Sequence, residues 1–180
     1  WSNFESFQPS ESTMNPFLPV LFAGKDSAEN TVDKVIFQAQ YNNGNRLVYQ
    51  LYKTEFNPDA KTWSPAVLIS DENSFFYAKD RQKFDSYNNQ RPSVFSFDGK
   101  TYVAWERSYA AYDQPHIWFS EFDGEAFVKN SIQELTSSGS AHRPILFKTK
   151  SADDFSEKLA VVWFDNRRGF ESVFFGEYEN

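Results

Sequence analysis

Apolar residues along this chain fall into short runs in which hydrophobic and polar side chains alternate. Alternation with a period of two predicts half-buried β-strands. The clearest run opens on proline and ends on phenylalanine. It occurs as Pro19-Val20-Leu21-Phe22, Pro92-Ser93-Val94-Phe95 and Pro144-Ile145-Leu146-Phe147. After each comes a second run (Val35 to Gln40, Thr101 to Glu106, Leu159 to Asp165) and then a third (Leu47 to Tyr52, Ile117 to Phe122, Val173 to Tyr178). Fourth runs, led by an aromatic residue, lie at Trp63 to Ser70 and Phe127 to Leu135, and Trp1-Ser2-Asn3-Phe4 resembles the opening of the first of these. Trp1, Trp63 and Phe127 therefore mark a repeat of about 63 residues.

With strands lettered a to d from the axis outwards, the chain reads d-abc three times. That order predicts an all-β fold of three four-stranded antiparallel β-propeller blades. Blade 1 spans about 18–70, blade 2 about 91–135 and blade 3 about 143–180, the last closed by, or equivalent to, strand 1–7. Turn chemistry agrees: Asp98-Gly99 suits a tight primed turn between a and b, Asn43-Gly44 the first b–c turn, and Asp123-Gly124 the second c–d turn. Excess length collects in one loop, Asp71 to Gln90. No stretch combines 3.6-residue periodicity with caps, so very little helix is expected. A β-sandwich also alternates and turns often, but it does not repeat its register three times. Three blades are too few for a closed ring, so the pattern predicts a segment of a larger propeller; the alternative is two copies pairing into a six-bladed ring. The opening on Trp1 in mid-pattern reads as a processed or excised fragment.

Aromatic residues make up 19 % of the 180 positions, which suits pleated, half-buried surfaces. A net charge of −7 argues against a general nucleic-acid binder. With no cysteine, neither a disulfide framework nor a thiolate metal site is possible. The two histidines, His116 and His142, have no carboxylates at ligand spacing, so no metal is expected, and no phosphate-loop motif points to a cofactor. No apolar run is long enough to span a membrane. The absence of cysteine is compatible with an exported, extracellular or periplasmic protein.

Tyr102-Val103-Ala104-Trp105-Glu106-Arg107 and Val161-Val162-Trp163-Phe164-Asp165-Asn166-Arg167-Arg168-Gly169 resemble the sialidase-like, Asp-box type β-propeller superfamily. In it an apolar strand ends in Trp, then an acid and an Arg. The family's box, Ser-x-Asp-x-Gly-x-x-Trp, lies on the c–d turn. Here that turn reads Ser120-Glu121-Phe122-Asp123-Gly124-Glu125-Ala126-Phe127, with the Asp displaced and Trp replaced, and Asn57 to Trp63 is looser still. The resemblance implies a carbohydrate-related propeller. It also implies inner-strand arginines that hold a substrate carboxylate, three of them in sialidases; here Arg91 and Arg143 hold equivalent positions and Leu18 occupies the third.

The d–a and b–c loops of a propeller emerge on one face, and loops on a rigid scaffold usually carry function. The candidate ligand-binding residues on that face are Arg91, Arg107, Tyr109, Tyr112, His142, Arg143, Arg167 and Arg168. Arg91 and Arg143 could converge on a carboxylate or sulfate; the alternative is that each pairs with Glu106 or Asp165 and stitches blades together. Glu106 and Asp165 are the carboxylates placed for acid/base catalysis. Their recurrence at similar repeat positions, with a counterpart around Gln40, favours a structural role. Asp153-Asp154 reads as a solvated loop. The expected function is a non-catalytic binding or sensing module that recognises a glycan or a protein through this face. One alternative is part of a sialidase-like glycoside hydrolase whose other catalytic residues lie outside the chain. Another is a structural module that dimerises into a ring. Remaining blades of the same parent chain, or a second copy, are the expected assembly partners.

Overall fold

The computed structural model describes residues 16–25, 30–42, 47–70, 75–78, 83–109, 112–151 and 153–178. Blade 1 is an antiparallel sheet of β1 (Pro16–Lys25), β2 (Thr31–Asn42) and β3 (Leu47–Asn57), with β4 (Thr62–Trp63) and β5 (Val67–Leu68) on the outer edge of β3. The stretch expected as a plain loop contains a small hairpin of β6 (Phe75–Ala78) and β7 (Lys83–Ser86). Blade 2 orders β8 (Asn88–Phe97), β9 (Lys100–Tyr109), β10 (Tyr112–Phe122) and β11 (Gln133–Glu134). Blade 3 orders β12 (Ala141–Lys150), β13 (Glu157–Asp165) and β14 (Ser172–Glu177). The chain is all-β, with one 3-10 turn at Lys129–Ser131 among the described residues, and its sheets form part of a β-propeller. Strand d is shorter than the alternation suggested: two separate two-residue pieces, β4 and β5, in blade 1 and the two residues of β11 in blade 2. Pro65 has no N–H for the ladder, and the 3-10 turn interrupts the second copy. Strand 1–7 and the Asn43-Gly44 turn lie outside the described residues.

Asp98 (φ 50°) and Gly99 (φ 75°) both have positive φ and join Phe97 to Lys100, the primed turn that matches strand twist. A stronger signature sits at the three prolines. Each inner strand slips register there, between Phe17 and Val20, Gln90 and Ser93, and His142 and Ile145. The residue before each proline, Leu18 (φ 49°), Arg91 (φ 52°) or Arg143 (φ 53°), is left-handed. Such a conformation costs a non-glycine residue roughly 1–2 kcal/mol, and proline offers no donor to restore the ladder. The Pro-led motif is thus a bulge, repeated in every blade.

Blades pack face to face. Ile36, Leu51 and Ile69 of blade 1 meet Val103, Trp105 and Phe122 of blade 2. Tyr102, Ala104, Ile117 and Phe119 of blade 2 meet Leu146, Leu159, Val161 and Trp163 of blade 3. Full burial of each large side chain contributes about 1.5–3 kcal/mol. Hydroxyl groups pin the outer segments onto strand c. In blade 1, Leu51 N–H donates to Ser70 Oγ (3.0 Å) and Glu55 N–H to Ser64 Oγ (3.0 Å). In blade 2, Ile117 N–H donates to Thr136 Oγ1 (2.9 Å) and Glu121 N–H to Ser131 Oγ (2.8 Å).

Candidate binding face

The left-handed bulge turns the backbone N–H of the residue before each proline out of its own ladder. In two blades a polar side chain on the preceding blade accepts it: Arg91 N–H donates to Gln38 Oε1 and Arg143 N–H to Glu106 Oε1, both at 2.6 Å. Strand pairing puts Gln38 opposite Leu51 and Glu106 opposite Ile117, the same place in consecutive sheets. In blade 3 that place is Phe164, opposite Val173. Asp165 is one residue further on and matches Arg107 and Ala39, which sit opposite Asn89 and Pro16. The expected equivalence of Glu106, Asp165 and Gln40 is therefore corrected to Glu106, Phe164 and Gln38. The bulge in strand a and one polar residue in strand b set the register.

Glu106 is fully buried. Its second oxygen accepts from Arg91 Nη1 at 2.6 Å and from Gln90 Nε2 at 3.4 Å, and His142 Nδ1 lies 3.8 Å away. Arg91 thus pairs with Glu106 inside blade 2, and the stitch between blades runs through backbone amides instead. Asp165 is equally occupied. It accepts from the Arg167 N–H (2.8 Å), from Arg167 Nε (2.8 Å) and Nη2, and from Trp163 Nε1 (3.4 Å). Burial works against charge on Asp165, but these bonds outweigh it and hold its carboxyl below the ordinary range.

Arg107 belongs to the packing. It donates through Nε to Asn89 Oδ1 (2.9 Å) and its guanidinium lies over the rings of Trp118 (4.3 Å) and Tyr87 (5.1 Å). Buried Asn89 also accepts from Trp105 Nε1 (3.0 Å) and donates to Gln50 Oε1 (2.9 Å), which ties blade 2 to blade 1. Arg167 and Arg168 lie over Phe174 at 4.7 and 5.3 Å. Tyr109 and Tyr112 pair across the β9–β10 hairpin, with their side chains outside the description.

Of the eight candidate binding residues, Arg91, His142 and Arg143 come together. They line a cleft of about 410 Å³ between blades 2 and 3, with Gln90, Ser108, Pro115 and Glu171. His142 Nε2 is 2.7 Å from Ser140 Oγ. The Arg143 side chain is exposed and has no hydrogen-bond or ion-pair partner among the described residues. Leu18, Arg91 and Arg143 and their prolines line a second groove, of about 570 Å³, along the inner strands. Gln38, Asn89 and Glu171 escaped the sequence reading. Gln38 had a signal, as the lone polar residue in Val35-Ile36-Phe37-Gln38-Ala39. Among the described residues no cluster of His, Asp and Glu could hold a metal, and no helix is long and apolar enough to cross a membrane.

No protein-family model matches the chain, and no curated protein matches it. Solved structures do. An endo-arabinase from Bacteroides thetaiotaomicron superposes with a TM-score of 0.58 at 13 % identity, over 95 % of this chain and 58 % of its own. A thermostable family-43 glycoside hydrolase gives 0.53 at 16 % identity, over 89 % and 54 %. An alpha-L-arabinofuranosidase from Lactobacillus brevis gives 0.56 at 11 % identity, over 99 % and 57 %. The chain spans a little over half the length of each. At such identities the likeness shows the fold alone; none of the three is named a sialidase, so the resemblance drawn from the sequence is corrected to the level of the β-propeller.

Proposed function

We propose that these blades are the carbohydrate-recognising part of a propeller from an exported protein, binding through the cleft at Arg91, His142 and Arg143 without hydrolysing what they hold. Glu106 carries this reading. A glycosidase needs two carboxyl groups free to exchange protons with, or attack, the glycosidic centre. Glu106 is buried with both oxygens engaged at 2.6 Å, and Asp165 is tied to Arg167. What the cleft offers is donors: the Arg143 guanidinium, the remaining N–H groups of Arg91, and His142. Donors in a cleft of this size suit the hydroxyl and carboxylate oxygens of a saccharide. The arabinan-directed names of two neighbours support a carbohydrate ligand. Calorimetric titration with arabino-oligosaccharides, and with oligosaccharides bearing a uronate, tests the reading. Arg143→Ala should weaken binding about tenfold, the worth of one charge-assisted hydrogen bond; silence with both ligand sets, or an Arg143→Ala chain that binds as tightly, rejects it.

A second reading has the same face serve as a subsite of a glycoside hydrolase whose catalytic carboxylates lie in other blades. It is favoured by all three neighbours being named for that class of activity. Three blades against 54–58 % of the neighbours' length fit a five-bladed ring. Turnover of a chromogenic arabinofuranoside by a longer chain that carries those blades, with KM raised by Arg143→Ala and kcat kept, would favour it over binding alone, whereas turnover abolished by Glu106→Gln would contradict both readings. A six-bladed ring of two copies is the weaker assembly, because Val35, Phe37, Ala39 and Tyr52, on the face of blade 1 away from blade 2, are already buried.

A further inference from the structure

Successive side chains of a regular strand point to opposite faces. At the start of β12 the bulge between His142 and Ile145, with Arg143 left-handed, breaks that rule and brings His142 and Arg143 onto one cleft. The bulge of blade 2 does the same for Gln90 and Arg91. Blade 3 therefore places an imidazole where blade 2 has an amide. Gln90 Nε2 donates to Glu106 Oε2 at 3.4 Å, and His142 Nδ1 lies 3.8 Å from that same oxygen. On its other side, His142 Nε2 lies 2.7 Å from Ser140 Oγ. The ring suits an imidazolium: Nε2–H donates to the hydroxyl and Nδ1–H faces a carboxylate. Its side chain is 34 % exposed, so solvent and ligand both reach it.

The charged groups around His142 cancel without it. Arg91 from β8 and Arg143 from β12 are positive; Glu106 from β9 and Glu171 from the segment leading into β14 are negative. Asp165, paired with the neighbouring Ala141, is neutralised by Arg167. A neutral imidazole thus leaves the cleft with no net charge, and an imidazolium gives it one positive charge. Glu106 is fully buried and engaged with Arg91 Nη1 and the Arg143 amide, so it attracts the imidazolium from beneath.

Resting on the reading of this cleft as a carbohydrate site, we propose that His142 makes it selective for acidic saccharides and gates it by protonation. A uronate carboxylate docks on the Arg143 guanidinium and the adjacent imidazolium, two charged donors presented by one bulge. Binding and proton uptake are one linked equilibrium: the carboxylate stabilises the imidazolium, and the imidazolium tightens the carboxylate by the same factor. Histidine is the side chain that changes charge between about pH 5 and 8, a range in which a uronate stays ionised.

Calorimetric titration with trigalacturonate at about pH 5.5 and about pH 8 tests the gate. Affinity should be about tenfold higher at the lower pH, the worth of one added charge-assisted contact, while arabinotriose should bind about equally at both. His142→Gln, which copies Gln90, should flatten the uronate profile whatever its affinity. Should that variant unfold, His116→Gln leaves His142 as the only histidine. Saturating trigalacturonate should then raise the midpoint of its ring titration, followed by NMR, by about one pH unit, the same tenfold seen from the other side. Trigalacturonate binding that is equal at the two pH values overturns the gate and leaves the carbohydrate reading standing. A profile that persists in His142→Gln, a midpoint that does not move, or arabinotriose tightening equally in acid also overturns it. Silence of both sugars at both pH values overturns the carbohydrate reading and the gate together.

Discussion

Lys34 and Tyr102 hold the same register position in consecutive blades, opposite Glu55 and Glu121 respectively, and each closes the gap to the next blade by different chemistry. Lys34 is fully buried. Its ammonium donates to Glu55 Oε1 (2.7 Å) and to the Gly124 carbonyl of blade 2 (3.1 Å). Lys53 donates to the same two oxygens at 3.1 and 3.0 Å, and to Glu125 Oε2 at 2.5 Å. At the next interface Tyr102 stacks on Phe119 (5.5 Å, 15°), and Tyr178 of blade 3 packs on both rings. One seam is held by paired charges, the other by aromatic rings.

The charged seam makes stability depend on pH. Burial raises the carboxyl of Glu55, but the hydrogen bonds and charges of Lys34 and Lys53 more than offset it and hold it below its ordinary value of 4.5. A carboxyl lowered on folding contributes stability that is complete above its unfolded value and lost as pH falls through the folded one. Asp165, lowered from 3.8, acts in the same direction. The urea midpoint should therefore be flat from neutral pH down to about 5.5 and fall progressively below about 4.5. Glu55→Gln should remove part of that acid slope. At neutral pH it should cost about 2 kcal/mol, since two buried ammonium groups then share one fewer countercharge.

Glu106 invites a substitution that blade 1 already contains. Gln38 accepts the Arg91 amide with a neutral oxygen, in the same geometry by which Glu106 accepts the Arg143 amide. Glu106→Gln should therefore keep the interblade bond, weaken only the Arg91 pairing, and cost about 1 kcal/mol. Glu106→Ala leaves the Arg143 amide without its acceptor and opens a cavity, so about 3 kcal/mol is expected. Chemical denaturation of the two variants measures the difference.

Most of the architecture was legible because a propeller repeats its register. Three Pro-led runs marked the inner strands, and Leu18, Arg91 and Arg143 proved equivalent down to their left-handed backbone. The site was less legible. Glu106 and Asp165 look alike along the sequence, each following a Trp-containing apolar strand, yet β12 and β13 pair so that Phe164 takes the place of Glu106. One residue of slip moves a side chain to the other face of a strand, and no local pattern reveals such a slip. The buried lysines were invisible for a related reason. Lys34 reads as a solvent-facing position, and only the turn of the next blade, with its carbonyl at Gly124, turns it into an interior one.

Gly139 should tolerate no side chain. Its φ of +79° is left-handed, and a Cβ there would lie 2.7 Å from Asp165 Oδ1 and 3.0 Å from the Arg167 Cα. The second contact is backbone and cannot swing away. Gly139→Ala should cost about 1–3 kcal/mol through strain alone. It should also displace Arg167 from Asp165, lowering the melting temperature and raising the carboxyl of Asp165 toward its ordinary value in an NMR titration.

The hydroxyls that pin the outer strands should be worth more than their exposure suggests. Thr136 is buried, and its Oγ1 accepts from the Ile117 amide; Ser70 does the same for Leu51 and also donates to Gln50 Oε1 at 2.5 Å. Thr136→Val keeps the shape but leaves a buried N–H without an acceptor, a penalty of about 1–3 kcal/mol. The outer strand of blade 2, β11, is only two residues long, so its attachment relies on few other bonds, and the loss should appear first as local opening. Hydrogen exchange at residues 133–136 should quicken before the global unfolding midpoint moves. Ser70→Ala should have the larger effect, because it also strips one donor from Gln50 and loosens the Asn89 network that joins blade 1 to blade 2. Equal, purely global destabilisation by both variants would mean that the outer strands are held by packing and that the hydroxyls merely accompany it.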